Sequence, residues 1–104
     1  MAQYILDANY EKIAELIKRF DYNQEYISKL INSEDLRNIQ PLFLCMYLRE
    51  ENRRICNEEK SSIYLEIVKL LIKYHVKIRI RNEEKRTPLE VAVSYVRLIV
   101  LFFN

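Results

Sequence analysis

The chain of 104 residues has no glycine, one histidine, two prolines and two cysteines. Irregular and β-rich proteins use glycine wherever the backbone turns through positive φ, so its absence argues for helices. Cys45 and Cys56 stand ten residues apart, without Cys-x-x-Cys or Cys/His ligand spacing, which excludes an ordinary structural zinc site. Cys45 lies in the apolar run from Pro41 to Leu48, where a reduced thiol packs as a small hydrophobe. A reducing compartment, the cytoplasm with the nucleus as the alternative, is the expectation. MAQYILDANYEK has no basic stretch followed by an apolar one, so no secretory signal is expected. The apolar segment Val96–Phe103 falls well short of the roughly 20 residues that cross a bilayer, which points to packing and not to a membrane. Charge of one sign is also scarce, because 17 basic residues against 15 acidic ones leave +2. Such a balance gives little bulk attraction to nucleic acid.

Half of the residues are apolar and 31% are charged, the composition of a folded domain of this length. Ile13, Leu16, Ile17 and Phe20 recur at helical spacing after the cap candidates Asp7 and Asn9. A break at Asp21-Tyr22-Asn23 separates them from a shorter stripe, Tyr26, Ile27, Leu30 and Ile31. Pro41 suits a first helical turn, and the apolar residues behind it predict a helix buried on most sides. Residues 49–62 are densely charged and read as a solvated loop or frayed helix end. Ser61 or Ser62 then caps an amphipathic helix carrying Ile63, Ile67, Leu70, Leu71 and Tyr74. From Val76 to Arg81 apolar and basic residues alternate, which predicts an extended segment with a turn after it at Asn82–Lys85. Thr87-Pro88-Leu89-Glu90 has the spacing of a capping box, with Thr87 as cap and Glu90 reaching back to the backbone N–H of Thr87.

Glu66-Ile67-Val68-Lys69-Leu70-Leu71, the alternating segment and Thr87-Pro88-Leu89-Glu90-Val91-Ala92-Val93 resemble, in uninterrupted register, an ankyrin repeat's second helix, its finger and the next first helix. Gln40-Pro41-Leu42-Phe43-Leu44-Cys45-Met46 is similar to a second copy of the same motif, with Asp35 five residues before it as Asn82 is before Thr87. Gln40 and Glu66 are 26 residues apart where the family has 12, an insertion of about 14. Asn38, His75 and Lys85 fall where the family carries glycine, so distorted turns are expected there. The resemblance implies an all-α, ankyrin-repeat-like helical stack of about two repeats. Residues 1–39 are an N-terminal helical cap containing the second-helix-like run Lys12–Ile17, 40–86 a repeat with its insertion at 49–62, and 87–104 a truncated terminal repeat. Glycine-poor repeats with long insertions are similar to ankyrin proteins of large DNA viruses such as poxviruses, and to some from protists.

The resemblance implies a scaffold that binds a partner protein, an adaptor or decoy, with no chemistry of its own. The residues agree. There is no Ser/His/Asp grouping, no glycine-rich phosphate loop and no carboxylate pair placed to raise its acidity, so no catalytic, cofactor or metal site is expected. His75 stands at a turn and is read as structural. The candidate partner-binding residues are Lys77, Arg79, Arg81, Lys85 and Arg86, five cations within ten positions of the finger. They suit an acidic protein surface, or, in the alternative reading, the phosphate backbone of a nucleic acid. The 49–62 insertion is a second candidate contact, and Val96–Phe103 a third, either as an inward cap or as the face of a homodimer.

Overall fold

A computed structural model of the chain describes residues 1–35 and 39–103, with side chains as far as Tyr95. The described residues form an all-α stack: α1 Ala2–Leu6, α2 Tyr10–Arg19, α3 Gln24–Asn32, α4 Pro41–Arg54, α5 Glu58–Lys73 and α6 Pro88–Phe103. The first helices of successive pairs pack side by side, α1 on α4 and α4 on α6, while α2 packs on α5 behind them. Helix α3 lies against α4 as well.

Asparagine starts three of these helices. Asn9, Asn23 and Asn57 each accept, through Oδ1, the backbone N–H three residues on, from Lys12 at 3.1 Å, Tyr26 at 3.1 Å and Lys60 at 3.2 Å. Each such cap is worth about 1 kcal/mol. The cap of α5 is therefore Asn57, and Ser61 and Ser62 lie inside the helix. At α6 the capping box forms with a changed partner. Thr87 Oγ1 accepts from the Glu90 N–H at 3.3 Å, and the Glu90 carboxylate accepts from the Thr87 hydroxyl at 3.2 Å instead of from its backbone N–H.

Residues 49–62 are not a loop. Helix α4 runs through to Arg54 and α5 begins at Glu58, so most of this stretch belongs to a helix pair joined by three residues. The reason is local: Arg53 and Arg54 lie three and four residues after Glu50, where helical geometry brings their guanidinium groups onto its carboxylate. The turn closes with Cys56 N–H donating to Arg53 O at 3.1 Å and Asn57 N–H to Asn52 O at 2.8 Å. The same pair of bonds ends α1 at Ala8 and Asn9, and α5 at His75 and Val76.

Closing a helix this way requires positive φ at the residue just past its C-cap, and Ala8 (52°), Cys56 (60°) and His75 (63°) all adopt it. Lys85 (61°) completes the set among the described residues. His75 and Lys85, where distorted turns are expected, both take left-handed backbone within hydrogen-bonded turns. Asn38 lies outside the described residues. A Cβ in this conformation costs roughly 1–2 kcal/mol.

The core is built from Ile5, Ile13, Ile17, Ile27, Ile31, Leu42, Leu44, Tyr64, Ile67 and Leu71, together with Cys45. Burial pushes the Cys45 thiol up to about 12, so it packs as a hydrophobe. Ile13 and Ile17 of α2 take the places that Ile67 and Leu71 take in α5, and all four are fully buried. The Tyr64 hydroxyl donates to Leu6 O at 3.2 Å and ties the two helix pairs together. Helix α6 continues through Phe103, as the lack of a stop signal predicts, but the side chains of Val96–Phe103 lie outside the described residues.

Glycine at position 75 relieves the Cβ penalty of the left-handed turn at the cost of some backbone entropy. His75→Gly is expected to stabilise the protein by about 0.5–1 kcal/mol, read as a higher urea midpoint. A lower midpoint would mean that the imidazole makes a contact worth more than the strain.

Candidate interaction surface

Two turns built alike frame the finger side of the stack. In the first, Asp35 N–H donates to Ile39 O at 2.9 Å and Asp35 Oδ1 accepts from the Ile39 N–H at 3.0 Å. In the second, Asn82 N–H donates to Arg86 O at 2.9 Å and Asn82 Oδ1 accepts from the Arg86 N–H at 2.9 Å. Both lead into a proline-started helix. Asn82 adds a tertiary bond, because its Nδ2 donates to the Tyr47 hydroxyl on α4 at 2.9 Å. Tyr47 stacks on Phe43, with ring centroids 6.0 Å apart. A cleft of about 220 Å³ opens between this turn and α4, with Ile39, Tyr47, Glu83 and Glu84 in its lining.

Residues Val76–Thr87 leave α5 and form the finger. It is not helical, in agreement with the alternating pattern, but it bends at Ile78 and Arg79 and forms no strand. Its root is fixed to α3, where Asn32 Oδ1 accepts from the Lys77 N–H at 2.9 Å. Of the finger's alternating apolar residues, Val76 is buried and Ile80 half-buried, whereas Ile78, at the bend, is 59% exposed.

Lys77, Arg79, Arg81, Lys85 and Arg86 are all exposed. Arg81 is held to the turn, its Nη1 donating to Lys85 O at 2.8 Å, and Arg86 Nε lies 3.7 Å from a Glu84 carboxylate oxygen. The side chains of Lys77, Arg79 and Lys85 make no ion pair among the described residues. The five predicted residues therefore share one segment, with two of them braced by it. His75, exposed at the end of α5, stands apart from any acid/base partner among the described residues.

A second polar group lies where α4, α5 and α6 meet, and it was hidden in the sequence by the reading of 49–62 as a loop. Glu50 is buried, and Arg53 grips its carboxylate with Nε at 3.0 Å and with Nη2, while Arg54 Nε stands at 3.4 Å. The Arg53 hydrogen bonds hold the Glu50 carboxyl below the usual glutamate range against the opposing effect of burial, and Arg54 adds to the lowering. Arg49 Nε is buried beside them without a hydrogen-bond partner among the described residues. The Glu-x-x-Arg-Arg spacing was the available signal. No cluster of metal-ligand type occurs among the described residues, and none of their helices is long and apolar enough to cross a membrane.

Compared with known proteins, the chain matches no family model, no curated protein and no solved structure.

Two outcomes are expected at these sites. Asn82→Ala, which removes the acceptor for the Arg86 N–H and the donor to Tyr47, should cost about 1–2 kcal/mol in urea unfolding. Asn82→Asp should recover most of it, since aspartate does the same work at position 35; equal losses in the two variants would show that the turn does not depend on this acceptor. For Glu50 the folded carboxyl titrates below its unfolded value. Its contribution is therefore complete above the unfolded pKa and is lost as pH falls through the folded one. The stability advantage of wild type over Glu50→Gln should be flat from about pH 7 to 5 and shrink below about pH 4.5, the ordinary glutamate range. A pH-independent difference would count against the ion pair.

Proposed function

We propose that the chain is a non-enzymatic protein–protein interaction module of ankyrin-like type, an adaptor or decoy, which meets its partner through the finger. The repeated pair of Asx-type turns, each followed by a proline-started first helix, supports the ankyrin-like reading. So does the left-handed backbone at His75 and Lys85, the positions where the resemblance places glycine. The viral reading, in which the module occupies a host protein, rests on the resemblance to glycine-poor viral ankyrin proteins.

One observation carries the choice of a protein partner: Ile78 is exposed between the free cations of Lys77 and Arg79. An apolar side chain set among positive charges is complementary to a protein surface with an apolar centre and an acidic rim. A phosphate backbone offers no apolar counterpart, so nucleic acid is the alternative reading and depends on the five cations alone.

The test is a pull-down from nuclease-treated lysate, washed at moderate salt, with wild type beside Arg79→Glu/Arg81→Glu and Ile78→Asp. All three positions are exposed or bent away from the core, so the helical circular dichroism of the variants should equal that of wild type. Capture of the same protein by wild type, with its loss from both variants, is the expected outcome; truncation of a central contact costs about 2 kcal/mol or more. Retention by both variants would remove the finger from the interface. Recovery of nucleic acid before nuclease treatment and of nothing after it, with steep loss on adding salt, would establish the alternative.

A further inference from the structure

The cleft where α4, α5 and α6 meet combines apolar walls with an uncommitted charge. Among the described residues Met46, Leu65, Val68, Ala92 and Tyr95 line it, around a volume of about 360 Å³. That size, and a largely apolar lining with a few polar groups, are those of a small-molecule pocket. No residue of the finger lines it, so what it binds is independent of the finger reading.

The charges beside these walls do not cancel. Glu50 is committed to Arg53 and Arg54, which leaves Arg49 over. Arg49 also lines the cleft, makes no salt bridge among the described residues, and keeps its Nε buried without a hydrogen-bond partner. A guanidinium does not give up its proton in a protein, so a buried N–H without an acceptor is a cost that the fold alone does not offset. Tyr95 brings a second donor. Burial pushes its phenol above the usual tyrosine range, so the hydroxyl stays neutral and able to donate.

These features select the ligand. One free guanidinium calls for one negative charge, and its planar N–H edge matches a carboxylate. The Glu50 carboxylate close by disfavours a dianion. A compact hydrated anion would lose its water against Met46, Leu65 and Val68 for little return, and a neutral apolar molecule would leave the Arg49 N–H unanswered. We propose that this cleft binds a small organic monocarboxylate with an aliphatic body, its carboxylate on Arg49 and its body against the apolar walls. Nε is closed to water as the side chain stands, so binding includes a turn of the long Arg49 stem that brings its N–H edge to the ligand.

Octanoate is the probe, titrated into the isotope-labelled full-length protein and followed by amide NMR. Octanol supplies the same body without the charge, and inorganic phosphate the charge without the body. Saturable shifts in α4, α5 and α6 are expected with octanoate, and at least about tenfold weaker binding with octanol and with phosphate. Arg49→Met keeps an unbranched apolar stem and removes the charge. It should weaken octanoate at least about tenfold, leave octanol unchanged, and keep or raise the urea midpoint, which separates loss of binding from loss of fold. Ala92→Leu, which fills the cleft and leaves Arg49 in place, should weaken octanoate and octanol alike. Equal octanoate affinity in wild type and Arg49→Met would overturn the proposal, as would the absence of saturable binding. Octanol or phosphate binding as tightly as octanoate would reduce the cleft to a greasy surface or a bare anion contact, and either result would overturn it too.

Discussion

Burial of the first half of α4 is the constraint on which the stack depends. Pro41, Leu42, Phe43, Leu44 and Cys45 are consecutive and all buried, which a helix achieves only when neighbours cover it on nearly every side. Four helices supply that cover, α5 along one flank, α1 and α6 to either side and α3 at a further contact. Each such side chain contributes about 1.5–3 kcal/mol by leaving water, so α4 is the part of the molecule where loss of any one neighbour is most costly. The pairs α1/α2 and α4/α5 are then tied through the Tyr64 hydroxyl and through the packing of α2 on α5, with Ile13, Ile17, Ile67 and Leu71 in one core cluster.

A chain without glycine still has to turn, and it does so with the same device three times. Ala8, Cys56 and His75 enter the left-handed region at the ends of α1, α4 and α5, and each is held there by two backbone hydrogen bonds. The strain of a Cβ at these sites is offset by carbonyls that would otherwise end the helix unpaired. Asparagine following the turn then caps the next helix at Asn9 and Asn57. The finger side is built differently, by Asp35 and Asn82 folding their own turns and by Asn82 reaching across to Tyr47.

The finger emerges where α5 ends and is anchored at its root by Asn32, so Lys77, Ile78 and Arg79 are presented on a fixed base and not on a free loop. Such preorganisation lowers the ordering cost of association. Helix α6 packs on α4, with Val91 buried and Leu89 and Val93 exposed.

The sequence by itself determined the helices and one turn. The stripes Ile13/Ile17, Ile27/Ile31 and Ile67/Leu71 are buried as their 3.6-residue spacing requires, and the Asn82–Lys85 turn and the cap at Thr87 form where their residue types favour them. Local rules suffice there because the interacting groups lie within a few residues of one another. Tertiary structure decided the rest. Charge density made residues 49–62 read as a loop or frayed helix end, but α4 packs against α5 and α6, and the local pairs of Glu50 with Arg53 and Arg54 fit the helix so placed. Alternation does not distinguish Val76 from Ile78, yet Val76 is buried and Ile78, at a bend, is exposed. Leu42 and Leu89 occupy equivalent positions in the repeat, yet one is core and the other surface, because burial belongs to what lies alongside a residue and not to the residue's place in a pattern.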